Sequence, residues 1–207
     1  MTAADPAGGL AEGPVRAAAR TAPHEAWRRA VHAASGLFGP LALDFPGRSA
    51  GFVLFGGLAV IALALEVARR ASPAAWRGVD AVGGSLFRPE EAHALSGPAT
   101  LAWGYALSWG LFAPRVAATA IVVAALADPA AALVGRRLGR GAPKSAAGSA
   151  ACAAVSAAIL LLAGAGAPAA AAGAVLVTFA ERAPWPGVDN VLVPLAAGAA
   201  LTLLGHR

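Results

Sequence analysis

The sequence predicts an all-α, polytopic integral membrane protein with about seven transmembrane helices. Of its 207 residues, 58% are hydrophobic and only 13% are charged, and the mean hydropathy is +0.65. Several uncharged runs approach the length of a bilayer's hydrocarbon core, where a helix satisfies every backbone polar group internally. Alanine and glycine are abundant, which favours close packing between helices.

The first 23 residues differ in composition from the rest of the chain. They are rich in Ala, Gly, Pro and Arg and contain no apolar core, so they do not resemble a secretory signal peptide. We predict a disordered cytoplasmic tail at 1–23 and a single polytopic domain at 24–207, which opens with a short helix at 24–30. The seven predicted spans are Val31–Phe45, Gly51–Ala68, Ala94–Ala113, Val116–Val134, Ala146–Ala163, Pro168–Ala180 and Val191–Leu204.

The basic residues predict the orientation of these spans. With the N-terminus inside, the inner segments hold thirteen basic residues, whereas the outer segments hold only Arg48, Arg115 and Arg207. Cytoplasmic loops of membrane proteins carry an excess of Lys and Arg, so we predict that the loops at 135–145 and 181–190 are both cytoplasmic. The net charge of +5 does not indicate nucleic-acid binding, because the basic residues are spread over loops without interleaved aromatic residues.

Asp128 lies deep in the apolar fourth span and is followed directly by Pro129. Proline lacks an amide donor and disfavours helical geometry in the preceding residue, whereas it is well suited to the first position of a helix. The pair therefore predicts a helix that breaks at Asp128 and restarts at Pro129. A carboxylate inside a membrane at such a break is a candidate functional residue.

A basic, glycine-rich segment follows this span. Its cations are Arg136, Arg137, Arg140 and Lys144, and they alternate with Gly135, Gly139 and Gly141. Guanidinium groups and backbone amides freed by glycine suit phosphate oxygens, and Ser145 is predicted to cap a helix whose N-terminus also favours an anion. Because Pro143 precedes the lysine, the segment is not a Walker A loop. The alternative is a basic loop that only fixes topology.

Three carboxylates are predicted to face one compartment near this segment. They are Asp128, Glu181 at the end of the sixth span, and Asp189, which opens the seventh and could equally be its N-cap. Oxygen ligands of this kind suit Mg²⁺, which commonly binds one or two carboxylates together with substrate phosphates. Cations for phosphates, carboxylates for metal and apolar surroundings for a lipid predict a phosphoryl-transfer site.

Three further pairs of polar residues lie beside predicted spans. They are Arg28 with His32, Glu66 with Arg70, and Arg88 with Glu91. The first pair shares a helix face and is either an interfacial anchor or part of the site. The second has the spacing of an ion pair within a helix, and the third, taken alone, is typical of a solvated loop pair.

The segment from Asp128 to Ser149 resembles the signature of the polyprenol kinase family, which includes dolichol kinases, phytol kinases and CTP-dependent diacylglycerol kinases. It reads DPAAALVGRRLGR and then KSAAGS. Three further matches come in the family's order: RRxxH at 28–32, RxxE at 88–91 before Ser-Gly, and Glu181 followed by Asp-Asn at 189–190. The resemblance extends from about Arg28 to the C-terminus.

This resemblance implies transfer of a nucleotide γ-phosphate, often from CTP, to the hydroxyl of a membrane lipid, with Mg²⁺. The implied catalytic residues are Asp128, Lys144 and His32, and the candidate metal ligands are Asp128, Glu181 and Asp189. The implied phosphate-binding residues are Gly135, Arg136, Arg137, Gly139, Arg140, Lys144, Ser145, Gly148 and Ser149. Arg28, Arg29, Arg88, Glu91 and Asn190 complete the polar site.

Two positions depart from the family pattern. Ala147 stands where the family usually has glutamate, and Ala127 stands where it commonly has glycine. One alternative is a phosphatidate cytidylyltransferase-like enzyme, although the Lys-Arg and Lys-Asp motif of that family is missing here. The other is a non-catalytic, degenerate membrane relative, which the missing glutamate favours. The acceptor lipid, the choice between CTP and ATP, and the oligomeric state stay open.

Overall fold

The computed structural model describes residues 14–44, 48–72, 77–78, 94–139 and 144–204. Within these ranges the chain forms helices and no strands, which confirms the prediction of an all-α fold. The helices are α1 (Pro14–Ser35), α2 (Phe38–Leu43), α3 (Arg48–Ala71), α4 (Gly97–Leu111), α5 (Pro114–Leu138), α6 (Ala146–Leu162), α7 (Ala167–Glu181) and α8 (Asp189–Leu204).

Helices α3 to α8 form an up-and-down bundle with α5 at its centre. Helix α5 contacts α1, α2, α4, α6 and α8, and α8 also packs on α4 and α7. Because consecutive helices run in opposite directions, the ends of α3, α5 and α7 meet the beginnings of α4, α6 and α8. Contacts between Glu66 and Ser96 and between Lys144 and Asp189 mark this shared end of the bundle.

Glycine residues allow two of these helix pairs to approach closely. A Cβ atom on Gly148 of α6 would lie 2.8 Å from the carbonyl oxygen of Ala131 on α5, and one on Gly104 of α4 would lie 2.2 Å from that of Asn190. Both distances are too short for a real contact, so only glycine permits these crossings. The first contact brings the beginning of α6 next to α5, and the second brings the beginning of α8 onto α4.

Helix α5 continues through Pro129, which lies in its interior. The predicted break at Asp128 and restart at Pro129 are therefore wrong. Proline removes one amide, the one that would bond the carbonyl of Ala125, but the surrounding turns are tightly packed. Ala124, Ala125 and Ala127 are each at most 2% exposed, and this packing outweighs the local preference of proline to begin a helix.

The N-terminal elements also differ from the prediction. Helix α1 begins at Pro14, so residues 14–23 are helical instead of part of a disordered tail, while residues 1–13 lie outside the described ranges. The predicted first span, 31–45, is divided by a turn at Gly36 and Leu37. A Cβ on Gly36 would lie 2.5 Å from the Cβ of Ala125, so this turn fits closely against the centre of α5.

Two of the described helices, α3 and α5, are long and apolar enough to cross a membrane, and α6, α7 and α8 are shorter apolar helices. The two long helices differ in environment. Most of α5 is enclosed by other helices, whereas α3 exposes many large apolar side chains, such as Val53, Val60 and Val67. An apolar surface of this kind is typical of a protein that contacts lipid or another apolar partner.

Candidate functional site

A cavity of about 270 Å³ lies at the shared end of the bundle, between α1, α5, α6, α7 and α8. It brings together residues that are far apart in the sequence. The predicted site residues that line it are Arg29, Asp128, Gly135, Arg136, Lys144, Ser145, Gly148, Ser149, Glu181 and Asp189. The structure thus places all three candidate carboxylates in one cavity with three cations, and their chemical roles stay predictions.

Lys144 forms the centre of a charged cluster in this cavity. Its Nζ lies 3.0 Å from Asp189 Oδ2 and 3.2 Å from Glu181 Oε1, and it also donates to the main-chain carbonyl of Glu181. Burial by itself would lower the pKa of Lys144, but the charges and hydrogen bonds of Asp189 and Glu181 outweigh burial and raise that pKa. Lys144 therefore stays positively charged between the two carboxylates.

Arg182 binds the main chain of Lys144 by a hydrogen bond. Its Nη1 donates to the carbonyl oxygen of Lys144 and to Ser149 Oγ, at 2.8 Å in each case. The lysine side chain in turn binds the carbonyl of Glu181, so the end of α7 and the residue before α6 are joined by reciprocal contacts. The motifs did not indicate Arg182 as a site residue, although it directly follows Glu181 in the sequence.

The glycines and serine of the basic segment have structural roles that the sequence left open. Ser145 is the N-cap of α6, and its Oγ accepts from the amide of Gly148 at 3.2 Å, which confirms the predicted cap. A Cβ on Gly139 would lie 2.3 Å from Ser145 Oγ. Gly139 and Gly148 are therefore needed for the close crossing of α5 and α6, whether or not they also bind phosphate.

Of the three predicted polar residues of α1, Arg29 lines the cavity, whereas Arg28 and His32 do not. Arg29 bonds Glu25 at 2.6 Å, and Arg28 lies 3.3 Å from the same carboxylate. His32 is buried, and its Nε2 lies 3.2 Å from the carbonyl oxygen of Ala124 on α5. This contact gives His32 a role in packing α1 against α5, and its role as a base stays a prediction.

Several predicted residues lie elsewhere. Asn190 donates to the carbonyl of Gly97 at 3.2 Å and to Thr100 Oγ1 at 2.9 Å, so it fixes the beginning of α8 on α4 and does not line the cavity. Arg137 is exposed and also does not line it. The predictions for Arg140, Arg88 and Glu91 lie outside the described residues.

A buried ion pair at the same end of the bundle supports the beginning of α4. Arg69 Nη2 lies 2.6 Å from Glu66 Oε2, and the amide of Ser96 donates to Glu66 Oε1 at 2.9 Å. The predicted pair with Arg70 also forms, at 3.4 Å, but Arg69 is the buried partner. Spacing alone could not tell which arginine is the buried partner, because residues three and four apart on a helix can both reach the same carboxylate.

The carboxylates of the cavity suit Mg²⁺ only together with other ligands. Among the described residues, no three His, Cys, Asp or Glu side chains are arranged closely enough to hold a metal by themselves. Glu181 and Asp189 nevertheless converge on one ammonium group, and Glu181 Oε2 is buried without a hydrogen-bond partner. This donor set fits a Mg²⁺ that takes one or two carboxylates and completes its coordination with phosphate oxygens and water.

Comparisons with protein-family models, with curated proteins and with solved structures found no match for this chain.

Proposed function

We propose that this chain is a polytopic membrane lipid kinase. It transfers the γ-phosphate of CTP or ATP to the hydroxyl of a lipid such as a polyprenol, phytol or diacylglycerol. The observation that carries the proposal is the single cavity in which Asp128, Arg136, Lys144, Glu181 and Asp189 meet at one end of an apolar helical bundle. The motif resemblance supplies the reaction type.

The surface of the bundle supports a membrane location. The large apolar side chains that α3 exposes would be unfavourable in water and suit contact with acyl chains. The cavity lies at the end of the bundle where α3 and α5 finish, and the last turns of these helices carry Arg69, Arg70, Arg136 and Arg137. Only Arg48 and Arg115 lie at the beginnings of the same two helices. By the positive-inside rule, the cavity faces the cytoplasm, where nucleotides are available.

The cavity residues suit the parts of a phosphoryl-transfer reaction. Arg136 and Lys144 can neutralise the nucleotide phosphates, and Arg29 supplies a third cation from α1. The lipid hydroxyl oxygen attacks the γ-phosphorus, the bond to the departing nucleoside diphosphate breaks, and a cavity carboxylate accepts the hydroxyl proton; Asp128 is the carboxylate outside the Lys144 cluster. Mg²⁺, when bound, neutralises charge on the transferring phosphoryl group.

The direct test uses purified protein in lipid–detergent micelles with CTP labelled at either the γ or the α phosphate. Membrane alcohols and diacylglycerol serve as acceptors, and the same panel is repeated with ATP. We expect label from the γ position in the organic phase. Label from the α position would instead support a cytidylyltransferase, and no transfer from either position to any acceptor would support the non-catalytic alternative.

A carboxylate variant links this activity to the cavity. Asp128→Asn should lower γ-phosphate transfer by about 100-fold or more, because it removes a charge from the reacting centre. Asp44→Asn is the matched control, since Asp44 is an exposed residue at the end of α2 that does not line the cavity. Equal activity of the two variants would exclude a catalytic role for Asp128.

A further inference from the structure

Lys144 is the only lysine among the chain's sixteen Lys and Arg residues. The contacts around it explain why arginine does not serve here. Its ammonium group is bound by three oxygens, from the Asp189 carboxylate, the Glu181 carboxylate and the Glu181 main chain. A compact ammonium with three donors suits such a cluster, whereas the planar guanidinium group of arginine suits a flat, two-pronged acceptor.

The same oxygens make a partly satisfied cation site. Glu181 is 5% exposed, and its second carboxylate oxygen, Oε2, is buried without a partner. The two carboxylates and the one ammonium of this cluster leave a formal charge of −1 on it, which attracts a divalent cation. A divalent cation could use the unpartnered oxygen as well as those that Lys144 now binds.

We propose that Lys144 is an exchangeable internal cation. In the nucleotide-free protein its ammonium neutralises Glu181 and Asp189. A divalent cation displaces the ammonium from these carboxylates, and the ammonium then turns towards the phosphates when a nucleotide binds. This inference rests on the proposed function for the binding of a nucleotide in the cavity. No covalent bond changes in the exchange.

The backbone contacts limit what has to move. Arg182 holds the carbonyl oxygen of Lys144, and Ser145, the next residue, caps α6. Both contacts involve atoms outside the lysine side chain, so the ammonium can turn while the backbone stays in place. The binding of the metal and the binding of the nucleotide are then coupled, because the metal releases the Lys144 ammonium, which can then bind the nucleotide phosphates.

The test uses Lys144 as its own reporter, because it carries the only side-chain amine of the chain. The full-length wild-type protein in detergent is labelled with a small amine-reactive reagent, and mass spectrometry of its peptides separates Lys144 from the N-terminal amine. We expect MgCl₂ alone to increase the labelling rate of Lys144 several-fold and CTP added with MgCl₂ to lower it again. NaCl at matched ionic strength controls for screening of the ion pairs, and Lys144→Arg controls for the specificity of the label.

Metal binding gives a second readout. In the absence of nucleotide, Lys144→Met should bind Mn²⁺ several-fold more tightly than the wild type, as followed by the electron paramagnetic resonance signal of free Mn²⁺. Lys144→Arg keeps the positive charge, so its affinity for Mn²⁺ should not rise above that of the wild type. A labelling rate that Mg²⁺ leaves unchanged would overturn the exchange, including when transfer of γ-phosphate is detected. Metal-dependent labelling without any transfer would support the exchange and remove the kinase proposal alone.

Discussion

Lys144 has a backbone φ of 54°, in the left-handed region that residues other than glycine adopt at a cost of about 1 kcal/mol. Glycine would remove this strain, but it would also remove the ammonium group that joins Asp189 and Glu181. The hydrogen bond from Arg182 to the Lys144 carbonyl holds the same conformation. The contacts of the side chain and of the carbonyl group together offset the cost of this backbone conformation.

The pH dependence of stability follows from the raised pKa of Lys144. A group whose pKa is raised on folding stabilises the protein fully below its unfolded-state pKa, which for lysine is about 10.4, and loses that contribution as the pH rises through the folded-state value. The difference in melting temperature between the wild type and Lys144→Met should therefore stay constant from about pH 7 to about pH 10 and shrink only above that range. Thermal unfolding in detergent measures it, and a difference that already shrinks below about pH 9 would contradict the raised pKa.

Asn190 is expected to matter for stability more than for chemistry. Asn190→Ala removes hydrogen bonds to the Gly97 carbonyl and to Thr100 Oγ1, which should lower the free energy of unfolding by about 1–2 kcal/mol. Thr202→Ala on the same helix is the control, because Thr202 bonds only the carbonyl of Gly198 within α8. Equal melting temperatures for the two variants would show that Asn190 does not hold α8 on α4.

At the scale of helices, the sequence predicted most elements after the first span, because long apolar runs bounded by polar turns determine where these helices lie. It failed where packing outweighed a local signal. Pro129 favours a helix start, yet α5 continues because its neighbours enclose it. Gly36 and Leu37 interrupt the predicted first span, and only the contact with Ala125 explains why the chain turns there.

The candidate site was likewise predicted only in part from the sequence. The motifs identified Asp128, Lys144, Glu181 and Asp189, which the fold brings into one cavity. Spacing could not reveal that the lysine bonds two carboxylates from the far end of the chain, or that Arg182 holds its carbonyl. Long-range contacts of this kind depend on how α6, α7 and α8 pack, which no local pattern records.

The close crossing of α5 and α6 depends on Gly148, so a larger residue there should destabilise the protein. Gly148→Ala would place a Cβ 2.8 Å from the Ala131 carbonyl oxygen, so the helices must separate, and we expect the free energy of unfolding to fall by about 1–3 kcal/mol. Gly56→Ala on α3 is the control. A Cβ there meets nothing within 4 Å, and the better helix propensity of alanine should stabilise the protein by up to about 1 kcal/mol. Thermal unfolding of both variants under the same conditions tests the contrast.

At the scale of the whole molecule, several polar contacts gather at one end of an otherwise apolar bundle. The buried ion pair of Glu66 with Arg69, the Asn190 contacts and the Lys144 cluster all lie at one end of the bundle. The body of the bundle consists mainly of alanine, glycine and aliphatic residues, many of them exposed. In the proposed kinase, a lipid substrate would stay among the helices and present its hydroxyl group to this charged end of the bundle.

The proposed membrane location predicts which parts of the chain are accessible from each side of the membrane. Trp185, between α7 and α8 beside the cavity, is 64% exposed, and Ala113, between α4 and α5 at the opposite end, is also exposed. Cys152, the only cysteine, is fully buried and should not react. In intact cells, a membrane-impermeant maleimide should label A113C, whereas W185C should be labelled only after the membrane is permeabilised. The reverse pattern would place the cavity outside, away from nucleotides, and recovery of both variants in the soluble fraction would exclude the membrane location.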